Sequence, residues 1–340
     1  MGKKSKAEKS QSIRPGIVTR SSKRLVLVTG RSHPQLAEDV ANALNSELLP
    51  TEHRTFASGE LYTRFGESVR GCDAFVIQTF GQPVNEWIME MLIMVDALKR
   101  ASAKRITVVA PYYPYSRQDK KGRGREPISG RLVADLWKAA GADRIMSVDL
   151  HAAQIQGFFD GPVDHLFAQP VLLDYFKRKL EQDRDLVTVV SPDMGRVRVA
   201  DNWSDQLGAP LAIIHKRRDP KVANQVTVHD IVGQVDGRVC LLVDDMIDTG
   251  GTIVKAAEAL KKAGALRVIV AATHAVFSDP APQILTSEAI DEVVVTDTLP
   301  LPEDRRFPGL TVLPIAPLLA RAIHEVFEDG SVTSMFDGAA

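Results

Sequence analysis

Three carboxylates, Asp244, Asp245 and Asp248, follow an apolar run in Val239–Thr252, "VCLLVDDMIDTGGT", and the third opens a turn of small residues. In that turn Gly250 and Gly251 allow close backbone approach. The helical stretch beginning at Thr252 turns its free N–H groups and its positive dipole end toward whatever lies there. A monophosphate suits that half of the motif, with Asp248, Thr249, Gly250, Gly251 and Thr252 around it. Asp244 and Asp245 suit a different group, since two acids can accept hydrogen bonds from a pair of sugar hydroxyls, directly or through a divalent cation. A ribose phosphate needs both halves side by side. The plain alternative is a helix cap beside a wet strand end. An apolar strand ending in Asp-Asp also resembles half of a P-loop site, but G-x-x-x-x-G-K-[ST] occurs nowhere in the chain.

Other residues of similar promise stand where apolar runs end. "PYYPYSRQDKK" from Pro111 carries Arg117 and Gln118, and "VDLHAAQ" places His151 two residues after Asp149. "VVSPDMG" presents Asp193, an oxygen ligand at a matching strand end, and "IHKRRDPK" sets Lys216 and Arg218 beyond the run Leu211–Ile214, leading into a polar segment able to fold over a site. Each has a plain reading when taken alone: a solvated basic loop, a structural histidine, a charged turn.

The elements that must position these residues follow from the alternation of strand-like runs, such as Leu25–Thr29, Arg105–Ala110 and Val239–Val243, with amphipathic stretches such as Glu86–Arg100 and Thr252–Ala263. That alternation predicts parallel sheets with crossover helices, and ligands in such sheets sit beyond the carboxyl ends of the strands. "DALKRASAKRITVVAP" from Asp96 lines up with "EALKKAGALRVIVAAT" from Glu258. The same offset of about 162 positions sets Val28–Gly30 over Val190–Pro192, as an internal repeat should. The expectation is therefore an α/β protein of two similar domains, each a mostly parallel sheet flanked by helices, at 23–168 and 169–336, after a basic, mobile arm at 1–22. Pro170 can open the helix that follows the boundary.

The formal net charge of -1 gives no field for nucleic acid or an anionic membrane, so any anion site must come from local placement. Two cysteines, Cys72 and Cys240, read as core residues in a reducing compartment. The arm lacks the apolar segment of a secretory signal, and no apolar run is long enough to span a bilayer, so a cytoplasmic protein is expected.

Five motifs in order, "PYYPYSRQDKK", "DLHAAQIQGFF", "VVSPDMG", "IHKRR" and "VDDMIDTGGT", resemble the ribose-phosphate diphosphokinase family of type I phosphoribosyltransferase fold, from about Lys23 to Phe336. The resemblance implies transfer of the β,γ-diphosphate of ATP to the anomeric hydroxyl of ribose 5-phosphate with Mg²⁺. The products would be phosphoribosyl pyrophosphate, for nucleotide, histidine, tryptophan and NAD synthesis, and AMP. It implies ATP contacts at Phe56, Ser58, Gly59, Glu60, Arg117 and Gln118, with the Phe56 ring stacking on adenine. It implies a ribose 5-phosphate site at Arg218, Asp244, Asp245 and Asp248 to Thr252, Mg²⁺ at His151 and Asp193, more weakly at Asp160 and Asp164, and catalytic roles for Lys216 and Arg218. A homo-oligomer, commonly a hexamer, is implied as well, with phosphate or ADP as allosteric ligands near Ser68, Arg70, Arg125 and Ser331. Three positions depart from the family pattern: Ser58 in place of Asn or Asp, Gly122 where Asp is frequent, and Arg196 in place of the second glycine after "SPDxG". The alternatives are a non-catalytic regulatory homologue that keeps the fold, or a phosphoribosyltransferase that consumes the product.

Overall fold

The alternating runs become two open, mainly parallel sheets. A computed structural model describes residues 23–218 and 226–336, with side chains except at 216–218 and 226–229; the arm at 1–22 lies outside the described residues. The first half runs β1 (Leu25–Thr29), α1 (Pro34–Ala43), the hairpin β2 (Thr51–Thr55) and β3 (Leu61–Phe65), β4 (Asp73–Ile77), α2 (Val84–Arg100), β5 (Arg105–Ala110), α3 (Ser129–Ala140), β6 (Arg144–Val148) and β7 (Val163–Leu166). The second continues with α4 (Gln169–Lys179), β8 (Val187–Ser191), α5 (Val197–Leu207), β9 (Leu211–Arg218), β10 (Val226–Val232), β11 (Val239–Ile247), α6 (Gly251–Lys262), β12 (Arg267–Ala275), the short α7 (Ala281–Ile284), β13 (Glu292–Thr296), β14 (Leu310–Leu313) and α8 (Ala316–Phe327).

Strand order is β1-β4-β5-β6-β7 in the first sheet and β10-β9-β8-β11-β12-β13-β14 in the second, and only β10 runs antiparallel to its neighbour. The strands read as unbroken apolar runs because helices cover both faces, and all five residues of β4, β8 and β13 are buried. The repeat is visible in the pairing. Leu27 makes an isolated bridge to Leu48 where, in the second half, Val189 pairs with Leu211. The antiparallel pair that follows α1 in the first half and α5 in the second is a detached hairpin in one, β2–β3, and joins the sheet edge in the other, β9–β10.

A large buried cluster crosses between the halves, joining Leu27, Phe75 and Met146 to Phe176, Leu241 and Leu319. Helix α8, last of the second half, packs against α1 of the first. This shared core sets the carboxyl ends of the two sheets in a fixed relation. The apolar α2 buries Met91, Met94, Val95 and Leu98 within the first half. Both cysteines are free and buried, as read from their surroundings. No helix among the described residues is long and apolar enough to cross a membrane.

Strands β9 and β11 outrun their sequence-based bounds. β9 continues through Arg218 and pairs with β10, Lys216 opposite His229, so Lys216 and Arg218 lie on the outer reach of a strand, where a loop was expected. β11 continues through Ile247, so the acid pair sits inside the strand, not beyond it. In each case pairing with a neighbour carries polar residues into the sheet. Strands β2 and β3 were not evident in the sequence, because "TEHRT" and "LYTRF" alternate polar and apolar residues on a half-exposed hairpin.

Candidate active site at the strand ends

Strand β11 overshoots its neighbour. β8 pairs with it only from Val239 to Leu242, whereas β12 follows it as far as Ile247. Beyond Leu242 one edge of β11 is therefore open, and Asp244 and Asp245 stand above the turn that closes β8. From that turn Arg196 enters, and from the turn after β6, in the other half, His151 enters. Arg196 Nη2 lies 2.7 Å from Asp245 Oδ1 and its Nε lies 3.3 Å from Asp244 Oδ1, while its Nη1 donates to the His151 carbonyl at 3.2 Å. His151 Nδ1 is 2.7 Å from Asp245 Oδ2 and 2.6 Å from Arg196 Nη2. A carboxylate only accepts, so Nδ1 carries a hydrogen and directs it to Asp245, and the two nitrogens crowd together because both donate to that one carboxylate.

The pair is electrostatically split. Burial, then the neighbouring Asp245 charge, pushes Asp244 above the usual carboxylate range. Burial pushes Asp245 the same way, but the hydrogen bond from His151 and the charge of Arg196 outweigh it and hold Asp245 below the usual carboxylate range. The Asp245 N–H donates to Asp244 Oδ1 at 2.8 Å, tying the two side chains together.

The small-residue turn opens α6. Gly250 takes the helix N-cap with φ 78°, a left-handed conformation suited to glycine, and is buried, whereas Thr249 and Thr252 are exposed. The first amides of α6 have no carbonyl one turn earlier to bond, so they face outward from the loop. Arg117, from the turn after β5, crosses between the halves to place Nη1 2.7 Å from Asp248 Oδ2. Gln118 beside it is exposed. All three carboxylates of the opening motif thus meet an arginine, two of them through Arg196 and one through Arg117.

Phe56 lies at the β2–β3 tip, half exposed, and packs edge-on to Tyr62 with ring centroids 6.0 Å apart. Gly59 holds φ 88° in that tip, and Ser58 Oγ donates to Glu60 Oε2 at 2.8 Å. Among the described residues no hydrogen bond or ion pair joins this tip to the acid pair or the turn before α6. The side chains of Lys216 and Arg218 lie outside the described residues. Ser68, Arg70, Arg125 and Ser331 are all exposed.

Asp149, two residues before His151, is engaged elsewhere. Its Oδ2 accepts from the Thr273 hydroxyl at 2.5 Å and the Ala168 amide at 3.1 Å, and burial pushes its pKa up to about 6. His274 completes this seam between the halves: its Nε2–H donates to Val148 O at 3.0 Å, and Nδ1 lies 2.9 Å from Thr298 Oγ1. Asp164 is held by both oxygens to Arg144, at 2.8 and 2.9 Å, and Asp160 is exposed. Sequence reasoning missed Thr273 and His274, which sit in an apolar strand. It treated Arg196 as a departure only; a cation in a turn facing an acid pair was the available signal.

Among the described residues no group of three or more His, Cys, Asp or Glu gathers in a metal-binding cluster. The donor set nevertheless fits a small divalent ion held partly by other oxygens. Asp193 uses Oδ1 on the Gly195 amide at 2.8 Å, leaving Oδ2, and His151, with Nδ1–H directed to a carboxylate, keeps a basic Nε2. Mg²⁺ commonly takes one or two protein ligands and completes its shell with water and phosphate oxygens.

Over 322 residues the chain is 62% identical to a ribose-phosphate pyrophosphokinase of Streptomyces avermitilis, a match that covers 95% of this chain and 99% of that one. The chain belongs to the ribose-phosphate pyrophosphokinase family. A counterpart from Mycobacterium tuberculosis is 61% identical over 323 residues, 95% of this chain and 98% of that one. The crystal structure of phosphoribosylpyrophosphate synthetase from Mycobacterium smegmatis superposes with a TM-score of 0.86 at 59% identity, covering 91% of this chain and all of that one. Residues 25–141 match the N-terminal domain of ribose phosphate pyrophosphokinase, and residues 219–337 match the phosphoribosyl synthetase-associated domain. His151, Asp193 and Arg196 fall between those two matches, so it is the full-length pyrophosphokinase relatives that span the junction where the acid pair meets its cations.

Proposed function

We propose that the chain transfers the β,γ-diphosphate of ATP to the anomeric hydroxyl of ribose 5-phosphate, releasing AMP and phosphoribosyl pyrophosphate. The observation that carries this reading is that β11 delivers an acid pair and a small-residue helix turn in one continuous piece, in a chain of the pyrophosphokinase family. Two lobes divided at 168/169 share the work. The turn Asp248–Thr252 receives the 5-phosphate on the amides of α6. Asp244 and Asp245 accept the ring hydroxyls and fix the anomeric oxygen toward the first lobe. Arg117 and Gln118 meet ATP from that side, and Phe56, Ser58, Gly59 and Glu60 receive adenine by stacking and hydrogen bonds.

Lys216 and Arg218 stabilise charge as it spreads over the transferring phosphoryl oxygens, and Arg218 also meets the sugar phosphate. Their place on a strand-borne hairpin supports delivery from above the site, since cations brought in as chemistry begins favour the transition state over the ground state. His151 and Asp193 would hold Mg²⁺, which would supply charge neutralisation on the phosphate chain. Phosphate or ADP at the exposed Ser68, Arg70, Arg125 and Ser331, in a hexameric assembly, is the regulatory part of the same proposal.

Incubation with ATP, Mg²⁺ and ribose 5-phosphate should release AMP and phosphoribosyl pyrophosphate in equal amounts, followed by chromatography. No AMP from a folded preparation would select the non-catalytic alternative. AMP formed only when a free base and phosphoribosyl pyrophosphate replace these substrates would select the phosphoribosyltransferase.

A further inference from the structure

Among the described residues Arg196 alone touches both acids of the pair and the histidine facing them, and it reaches there from the turn after β8. Its side chain is 16% exposed, against 17% for that of Asp244 and 8% for that of Asp245, so all three are withdrawn from solvent together. Every nitrogen of the fork is engaged: Nε toward Asp244, Nη2 toward Asp245, Nη1 on the His151 carbonyl of the other half. Two adjacent carboxylates this poorly solvated repel one another strongly unless a cation stands between them. Here the cation is part of the chain.

We propose that Arg196 is a positioning residue that serves as the built-in counter-cation of Asp244 and Asp245, and that it competes with divalent cations for this pair in the substrate-free protein. The inference rests on the assignment of the acid pair to the sugar site, and it concerns a property that can be read without any turnover. With Arg196 on Oδ1 and His151 on Oδ2 of Asp245, a metal ion approaching that carboxylate meets the guanidinium charge directly and binds there well only as the guanidinium swings aside. A glycine at this position, by contrast, would leave the acids to be neutralised from solution. The residue therefore sets how much free divalent cation the empty site takes up, and how strongly binding of ribose 5-phosphate depends on it.

The test uses Mn²⁺ alone as probe, with the full-length, nucleotide-free protein and titration followed by the electron paramagnetic resonance signal of free Mn²⁺. Arg196→Gln and Arg196→Gly should gain at least about tenfold in Mn²⁺ affinity over the unmodified protein, because a buried like-charge pair loses its fixed cation. Arg196→Lys, which keeps the charge, should stay within about threefold of the unmodified protein. Adding Asp245→Asn to Arg196→Gln should abolish the gain. Equal affinities across the series would overturn the proposal, as would a gain in Arg196→Lys equal to that in Arg196→Gln, or a gain that survives Asp245→Asn. Thermal unfolding of each variant identifies any that fails to fold, and Arg196→Lys with Arg196→Gln then suffices for the decision. A preparation that makes no AMP but shows this Mn²⁺ pattern would sink the reaction and leave the counter-cation standing.

Discussion

Two neighbouring glycines at the start of α6 should fail in different ways. An alanine at Gly250 would have to hold φ 78°, ψ -13°, and its Cβ would lie 3.3 Å from Leu285 Cγ and 3.4 Å from Ile284 Cδ1. The backbone conformation alone costs roughly 1–2 kcal/mol for a side chain with a Cβ, and those side chains must give by a few tenths of an ångström. Gly250→Ala should therefore lower stability by about 2 kcal/mol and shift the melting temperature by a few degrees. The turn moves as well, misaligning α6 amides worth about 1–3 kcal/mol each to a phosphate. At 1.4 kcal/mol per factor of ten, that raises KM for ribose 5-phosphate roughly tenfold or more.

At Gly251 an added Cβ meets nothing within 4 Å among the described residues, apart from its chain neighbours and its own helix backbone, and the backbone needs no positive φ. Alanine favours a helix over glycine by about 1 kcal/mol, so Gly251→Ala should keep or slightly raise the melting temperature. Its methyl projects from the first residue of α6, where the phosphate is placed, so KM for the sugar should still rise about tenfold with KM for ATP within about twofold. Differential scanning fluorimetry and steady-state kinetics of both variants decide the matter. Wild-type KM for ribose 5-phosphate in Gly251→Ala would remove the phosphate from this turn. A normal melting temperature in Gly250→Ala would show that the left-handed N-cap is dispensable.

Asp248→Ala and Thr252→Ala should raise KM for ribose 5-phosphate far more than KM for ATP, each by about 1–3 kcal/mol of lost hydrogen bonding, and equal effects on both substrates would place the sugar elsewhere; Phe56→Ala should do the reverse. Lys216→Ala should lower turnover by roughly 10³-fold, about 4 kcal/mol of transition-state stabilisation, and a variant with normal circular dichroism that keeps more than about a tenth of its rate would return the β9–β10 hairpin to a structural role. Burial holds the neutral form of His274, with its pKa down to about 4. Below an unfolded-state pKa near 6.5 the unfolded chain binds a proton that the folded one refuses, so this residue's contribution is intact above that pH and is lost as pH falls toward 4. The loss reaches about 2 kcal/mol by pH 5. Urea unfolding at pH 7.5, 6 and 5 should show a shallower acid decline in His274→Gln than in the unmodified protein, and parallel declines would refute the assignment.

Much of this arrangement was legible in the residues themselves. Strands buried on both faces must be apolar throughout, so β1, β5 and β11 announce themselves, and the repeat survives because each half solves the same packing problem with the same order of elements. The pairing of acids with a glycine turn is also local, since a strand leading directly into a helix fixes their separation whatever the rest of the chain does. The short strands β7 and β14 and the antiparallel β2, β3 and β10 were not legible, and for β2 and β3 the reason is that a half-exposed hairpin carries neither a continuous apolar run nor a helical period.

What sequence could not decide was which side chains from distant turns share the space over β11. Arg117, His151 and Arg196 come from three different strand ends, two of them in the first half, and their meeting depends on how far β11 overshoots β8 and on the shared core that α1 and α8 close. Asp149 and His151 are two residues apart, yet only His151 reaches the acid pair. A left-handed turn at Asp149, φ 38°, directs its carboxylate into the seam at Thr273 instead. Electrostatic partners are chosen by distance in space and by exclusion of water, and neither quantity is written in the order of residues along a chain.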